Sequence, residues 1–152
     1  MYTLSQKSKK TLIGVKPNLV KVVEKAITIT QVDFGVLEGV RTLELQKKYV
    51  AQGKSRTLDS KHLSGDAVDL VAYVNGKVSW EEDCYFAIAA AMQLAAIEYQ
   101  VIVGWGGVWD TSLNKLSHNL DKEVKGYWAR FKAKNPKRVP FFDGPHFELR
   151  AQ

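Results

Sequence analysis

The sequence predicts an α+β fold in which helices flank a small, mainly antiparallel sheet. Three observations lead to this fold class: an early segment with helical spacing of apolar residues, short apolar strands bounded by turn residues, and a long alanine-rich segment. The chain has 152 residues, of which 45% are hydrophobic and 25% are charged, as in ordinary globular proteins. We therefore expect residues 1–152 to form a single domain.

The first half of the chain is predicted to alternate helices with strands. An amphipathic helix is expected over residues 17–29, because Pro17 opens a run with apolar residues at helical spacing. The segment FGVLEGV (34–40) predicts a strand. Thr42 is expected to cap a second helix, which Gly53 ends before a polar loop.

The second half is predicted to hold three strands and two helices. A strand is expected over 67–73, followed by the tight-turn signal Asn-Gly. Short strands are expected over 101–103, ending in the glycine and tryptophan turn GWGGVW (104–109), and over 146–149. Ser79 and Glu82 have the spacing of a capping box, which predicts the start of the alanine-rich helix that runs to about residue 99. The other helix is expected over 120–134, before two prolines.

The charge of the chain is uneven. Its 22 Lys and Arg residues exceed its 16 Asp and Glu residues, which gives a net charge of +6. Residues 111–140 carry this whole surplus, since they contain eight basic side chains and two acidic ones. The pattern favours a polyanionic partner such as an envelope polymer, an anionic membrane or a nucleic acid. The alternative is a solvated, partly helical insertion over about 111–140.

Several classes of protein are excluded or disfavoured. No apolar run reaches the length of a membrane span, so membrane insertion is not expected. No secretory signal peptide is visible at the N-terminus. The single cysteine, Cys84, excludes an internal disulfide and a cysteine-based zinc cage. A specific nucleic-acid partner is not expected either, because the basic segment lacks interleaved aromatic residues and a known nucleic-acid-binding signature.

Two of the three histidines lie, with one aspartate, in or beside predicted strands. His62 lies in the loop before the 67–73 strand, Asp69 lies inside that strand, and His146 opens the last strand. Two imidazoles and one carboxylate form a known ligand set for catalytic zinc, with a fourth position left for water. A bound cation would also compensate the charge of Asp69 within an apolar strand. The spacing of His62 and Asp69 alone is weak evidence for a metal site, since most His and Asp pairs at such spacing have structural roles.

The wider motif carries a family resemblance. The segment from Ser60 to Asp69 reads SKHLSGDAVD and resembles the SxHxxGxAxD signature of the zinc D-Ala-D-Ala carboxypeptidase family. Asp143-Gly-Pro-His146 resembles the second half of that signature, and Gly39-Val-Arg41-Thr42 resembles a third element. The resemblance covers residues 39–149, and within the family it is closest to phage L-alanyl-D-glutamate endopeptidases. It implies a hedgehog-like α+β fold.

The resemblance also implies a role for each motif residue. His62, Asp69 and His146 would hold Zn²⁺, and Asp143 would act as the general base on the zinc-activated water. Arg41 would bind substrate and stabilise the oxyanion that develops on the scissile carbonyl.

The sequence leaves more than one role open for other residues near these motifs. Ser60 would hydrogen-bond the substrate or brace the site. Glu148 is a rival base, because it lies two residues beyond His146 on the same face of a strand. His118 is expected to face solvent and not to bind metal. Where relatives often carry an acidic residue between glycine and tryptophan, this chain reads Trp105-Gly-Gly-Val-Trp109-Asp110. Asp110 is a candidate replacement, and the two tryptophans either line a groove or pack beneath the loop.

The resemblance implies a peptidoglycan endopeptidase that cuts the L-Ala–D-Glu bond of cell-wall stem peptides. It further implies a monomer that stays in the bacterial cytoplasm until the membrane is opened, and anionic envelope polymers would attract its basic segment. Two alternatives stay open at this point. One is a D-Ala-D-Ala carboxypeptidase or dipeptidase, and the other is a non-catalytic zinc-binding module.

Overall fold

The computed structural model describes residues 1–55 and 60–151. In these residues a short 3₁₀ turn, Leu113–Lys115, precedes the last helix. The helices are α1 (Gln6–Thr11), α2 (Pro17–Ile29), α3 (Leu43–Ala51), α4 (Glu82–Tyr99) and α5 (Leu120–Lys134). The strands are β1 (Asp33–Glu38), β2 (Ala67–Val74), β3 (Lys77–Ser79), β4 (Val103–Gly106) and β5 (Asp143–Leu149).

The strands form one antiparallel sheet in the order β1-β2-β5-β4, and β3 pairs with β2 as a hairpin. The last strand of the chain therefore lies at the centre of the sheet, beside β2. In this register Asp69 lies opposite His146, and Val68 lies opposite Phe147. The predicted α+β class with a small antiparallel sheet is confirmed.

The two faces of the sheet have different surroundings because successive side chains of a strand point to opposite faces. Val68 and Phe147 are fully buried within the hydrophobic core. On that side α4 contacts β2, β4 and β5, and α2 packs against α4. Asp69 and His146, the next pair in the register, point away from this core. The fold thus places the polar residues of the predicted site on the face of the sheet opposite α4, the open face.

Most predicted elements agree with the structure to within about two residues. Pro17 is the first residue of α2, and the Thr42 hydroxyl accepts a hydrogen bond from Leu45 N as the N-cap of α3. Gly53 follows this helix with a φ of 72°, a left-handed conformation that favours glycine and ends the helix. Helix α5 has the predicted bounds.

The predicted capping box at the start of α4 is wrong. Ser79 belongs to β3, where it pairs with Ala72, and its hydroxyl accepts from Glu81 N at 3.3 Å. The helix begins at Glu82, and the N-cap residue Glu81 makes no capping hydrogen bond with its side chain. Pairing in the hairpin holds Ser79 in the sheet, so its spacing to Glu82 does not decide where the helix begins.

Four other elements differ from the predictions. Strand β3 was not predicted, and β5 begins at Asp143, three residues before the predicted start at His146. Helix α1 was not predicted, because its lysine-rich sequence has little apolar periodicity. Strand β4 occupies Val103–Gly106, which includes glycine and tryptophan residues that the sequence assigned to a turn. These glycines allow close approach, since a Cβ at Gly106 would collide with the backbone of Asp143. No α-helix in the described part of the chain is long and apolar enough to cross a membrane.

Candidate active site

Three side chains that are far apart in the sequence meet at the open face of the sheet. His62 comes from the loop before β2, Asp69 from β2, and His146 from β5. Asp69 lies between the imidazoles, with Oδ2 at 3.4 Å from His62 Nε2 and Oδ1 at 3.4 Å from His146 Nδ1. The potential ligand atoms of all three residues lie within 4.8 Å of one another. This geometry suits one metal ion.

In each imidazole the outer nitrogen, which is the one that faces away from Asp69, lies beside a hydrogen-bond acceptor. His62 Nδ1 lies 2.8 Å from the carbonyl oxygen of Gly39, and His146 Nε2 lies 2.8 Å from Glu148 Oε1. When these nitrogens donate their protons, His62 Nε2 and His146 Nδ1 both present lone pairs towards Asp69. Outer partners of this kind orient the ligands of metal sites and fix their tautomers.

The carboxylate of Asp69 fits a further cation beside the Arg41 guanidinium. Among the described residues, the buried Oδ1 atom has no directed hydrogen bond, although His146 lies at ion-pair distance. A buried polar atom without a partner is unfavourable, and a metal ion would satisfy it. The donor set of two histidines and one aspartate also matches the ligands that zinc accepts in catalytic sites. His62, Asp69 and His146 could therefore hold a metal ion.

The charges of the cluster shift its titrations strongly. Burial disfavours the ionised form of Asp69, but the two imidazoles hold the pKa of its carboxyl well below the usual range. Burial also disfavours the charged imidazole of His146, yet Asp69 and Glu148 raise its pKa to about 9. For Glu148 burial again opposes ionisation, while the contact with His146 lowers the pKa to about 2. The negative charges of Asp69 and Glu148 therefore favour a positive charge between them. In the metal-free cluster a proton on His146 supplies it.

The pKa of the Asp143 carboxyl group is raised, whereas the pKa values of the Asp69 and Glu148 carboxyl groups are lowered. Asp143 begins β5, three residues before His146, and lines the same groove as the three-residue cluster. Burial, followed by the negative charge of Asp69, raises the pKa of Asp143 to about 6. A carboxyl group with a pKa near the working pH can both accept and return a proton. Asp143 therefore has the properties that a general base requires.

Arg41 is buried beside the cluster and firmly held. It is 8% exposed, its Nε donates to Glu38 Oε1 at 2.5 Å, and its Nη1 donates to Gln46 Oε1 at 2.5 Å. The guanidinium also lies over the Tyr49 ring, 4.8 Å from the centroid. Its Nη2 lies 3.8 Å from Asp69 Oδ2, so the fixed cation faces the proposed metal ligands.

These residues line a groove of about 790 Å³ that runs across the open face of the sheet. Ser60 lies on its wall, and the Ser60 hydroxyl accepts from the backbone N of His62 at 3.2 Å. This hydrogen bond supports the loop that carries His62. All six residues selected from the sequence, Arg41, Ser60, His62, Asp69, Asp143 and His146, line this groove. Residues 56–59 of the predicted loop lie outside the described residues.

The structure distinguishes between several roles that the sequence left open. Glu148 lies beside the outer nitrogen of His146, with Oε1 2.8 Å from Nε2, as expected from their shared face, so its carboxylate is already engaged by that ring. Trp105 is 0% exposed and donates from Nε1 to Gly144 O, so it packs beneath the site. Trp109 instead lines the groove, 5.5 Å from His146 between ring centroids. Asp110 pairs with Arg130, which anchors α5 and leaves no role for Asp110 at the metal cluster.

His118 is exposed and lies outside the cluster, as predicted, with Nδ1 at 3.1 Å from Gln93 Oε1. Sequence reasoning missed the carbonyl of Gly39 as a partner of His62, and it missed Tyr127 and Arg138 as groove residues. No sequence signal points to the Gly39 carbonyl, because every residue has one. Tyr127 and Arg138 lie in the basic segment, which carries no motif.

Three comparisons relate the chain to known proteins. The family model for "Phage L-alanyl-D-glutamate peptidase" matches residues 1–150. The L-alanyl-D-glutamate peptidase of Escherichia phage T5 is 33% identical over 115 residues, which are 73% of this chain and 84% of the relative. The crystal structure of the Serratia marcescens L-Ala D-Glu endopeptidase ChiX superimposes with a TM-score of 0.73 and 39% identity, covering 95% of this chain and 87% of ChiX. The chain therefore belongs to the phage L-alanyl-D-glutamate peptidase family.

Proposed function

We propose that this chain is a zinc-dependent peptidoglycan endopeptidase that hydrolyses the L-Ala–D-Glu bond of cell-wall stem peptides. The observation that carries the proposal is the placement of the His62, Asp69 and His146 cluster in one groove with Asp143. Two relatives that match most of the chain are named as peptidases for this bond, which supports the choice of substrate. A groove open along the sheet also suits an extended peptide.

In the proposed mechanism His62, Asp69 and His146 hold the zinc ion. Zinc, when bound, supplies a Lewis acid for the scissile carbonyl and lowers the pKa of a water molecule towards neutrality. Asp143 takes a proton from the attacking water and returns it to the nitrogen of the leaving amine. Its carboxyl group lines the same groove as the three proposed ligands, which supports this role.

Arg41 and Ser60 complete the proposed machinery. The contacts of Arg41 with Glu38, Gln46 and Tyr49 fix the guanidinium before substrate arrives. A fixed cation stabilises negative charge on the carbonyl oxygen with little rearrangement. Ser60 positions the loop of His62 and offers a hydroxyl to the bound peptide. We further propose that the protein is made in the cytoplasm and reaches the wall when the membrane is opened.

The decisive experiment combines metal analysis with mass spectrometry of digested muropeptides. Wild-type protein is expected to bind one zinc ion and to release fragments with new N-terminal D-Glu. His62→Ala is expected to lose both zinc and activity. Asp143→Asn is expected to keep zinc and to lose roughly 10²-fold or more in kcat. His118→Ala is the matched control, since this exposed histidine lies outside the cluster.

Three results would contradict the proposal. If metal-free wild-type protein still cleaves muropeptides, zinc is not required for the reaction. If Asp143→Asn keeps full activity, Asp143 is not the general base. Release of free D-Ala in place of D-Glu ends would identify a D-Ala-D-Ala carboxypeptidase instead.

A further inference from the structure

The groove contains a cation that forms no ion pair with an acidic residue of the described part of the chain. Arg138 lines the groove in the segment after α5, and among the described residues it forms no ion pair. Arg130, on the neighbouring helix, is different because both oxygens of Asp110 bind its guanidinium at 2.8 and 2.9 Å. The charge of Arg138 is therefore available to a ligand in the groove.

The guanidinium of Arg138 is also held in place. It lies over the ring of Phe131, 5.5 Å from the centroid, and its backbone N donates to Asn135 O at 3.0 Å. Further along the same segment, Trp109 Nε1 donates to Phe141 O at 3.0 Å. These contacts limit the entropy that Arg138 would lose when it binds a ligand.

The hydroxyl of a largely buried tyrosine lies on the aromatic wall of the groove, which Trp109, Tyr127 and Phe131 form. Tyr127 is 6% exposed, its ring is 6.1 Å from that of Phe131, and it lines the groove. Among the described residues its hydroxyl makes no hydrogen bond. Burial, and next the negative charge of Asp110, raise the pKa of the Tyr127 hydroxyl. The hydroxyl therefore stays protonated and can donate a hydrogen bond.

Trp109 connects this wall to the three-residue cluster of His62, Asp69 and His146. The Trp109 ring lies 5.5 Å from His146, and Trp109 also lines a smaller cavity together with Tyr127 and Phe131. A fixed guanidinium and a neutral hydroxyl donor form a combination that recognises carboxylates. A peptide with its scissile bond at the metal cluster would extend along this wall.

We propose that Arg138 and Tyr127 form a subsite that binds a free carboxylate of the stem peptide. The inference rests on the proposed function and specifies which substrates the groove prefers. Two carboxylates near the scissile bond share this chemistry. One is the α-carboxylate of D-Glu, which is free when D-Glu is linked onward through its side-chain carboxyl. The other belongs to the diamino acid that follows.

The test measures kcat/KM on three defined muropeptides for the zinc-loaded enzyme. The first has both carboxylates free, the second carries a carboxamide on D-Glu, and the third carries a carboxamide on the diamino acid. Arg138→Gln is expected to lower kcat/KM roughly tenfold on the first substrate, about 1.4 kcal/mol, mainly through KM. Tyr127→Phe is expected to act in the same direction. Lys137→Gln is the matched control, since it removes a neighbouring exposed charge that does not line the groove.

The two amidated substrates identify the carboxylate. The amide that weakens wild-type cleavage, and on which Arg138→Gln causes no further loss, marks the group that the subsite binds. Equal losses on all three substrates, or no loss for Arg138→Gln on the first, overturn the inference while the proposed function stands. A wild-type enzyme that cleaves none of the three overturns the proposed function itself.

Discussion

Replacing Glu148 by glutamine tests how strongly the carboxylate behind His146 controls metal binding. Glu148 Oε1 lies 2.8 Å from His146 Nε2, on the side of the ring away from Asp69. Glutamine keeps an acceptor of similar shape but removes the negative charge that makes the imidazole a stronger ligand. Substitutions of such outer partners weaken metal binding by roughly 10- to 100-fold, or about 1.4 to 2.8 kcal/mol.

The assay is a competition titration of zinc against a chromophoric chelator at fixed pH and ionic strength. Glu98→Gln is the matched control, because Glu98 lies outside the groove and, in the described part of the chain, its one ion pair is with Lys25 at 3.7 Å. Thermal unfolding of both variants checks that the fold is retained. Zinc affinity equal to that of wild type in Glu148→Gln would refute the reasoning about the outer hydrogen bond.

The same variant separates the two candidate bases. At saturating zinc we expect Glu148→Gln to keep turnover within about tenfold of wild type, because Glu148 acts only through His146. Asp143→Asn should lose far more while its zinc affinity changes little. A fully zinc-loaded Glu148→Gln protein without activity would instead assign the base to Glu148.

Three further predictions concern the scaffold. Gly106→Ala should reduce turnover while zinc binding is retained, because the added Cβ would displace the backbone of Asp143; unchanged kcat would contradict this. Gly65→Ala should lower the free energy of unfolding by roughly 1–3 kcal/mol in denaturant titrations, since Gly65 has a φ of 78° and a Cβ there would lie 2.5 Å from Gly14 O. Asp110→Asn should lower the free energy of unfolding at pH 7 by only about 0.2–1 kcal/mol, because the pair with Arg130 is exposed. The hydrogen bond from Arg130 lowers the pKa of Asp110 in the folded state. This stabilisation is therefore complete above the ordinary carboxyl pKa of about 4 and is lost as pH falls through the folded value, so the two proteins should converge in acid.

Elements set by local patterns were predictable. Pro17 with its apolar stripe defined α2, and Thr42 with Gly53 defined α3, because caps and helix-ending glycines act within a few residues. The start of α4 was not predictable in this way. Pairing of Ser79 with Ala72 depends on a neighbouring strand, and it overrides the local capping signal.

The glycine-containing β4 shows the same dependence on distant residues. Gly106 has no intrinsic preference for a strand, and it pairs with Asp143 because close approach of the two backbones is possible there. The sequence pattern of glycine and tryptophan therefore predicted a turn. The contacts that form after the chain has folded make this segment a strand.

By itself the sequence determined which residues could carry the chemistry, because SKHLSGDAVD and the Asp143-Gly-Pro-His146 segment hold the ligand and base types at fixed spacing. Only the tertiary structure decided how they act. The antiparallel register sets Asp69 opposite His146, and the loop packing directs His62 Nδ1 to the Gly39 carbonyl. Hydrogen-bond partners and burial depend on residues far apart in the chain, so roles such as those of Glu148 and Arg138 emerge only when the strands and α5 come together.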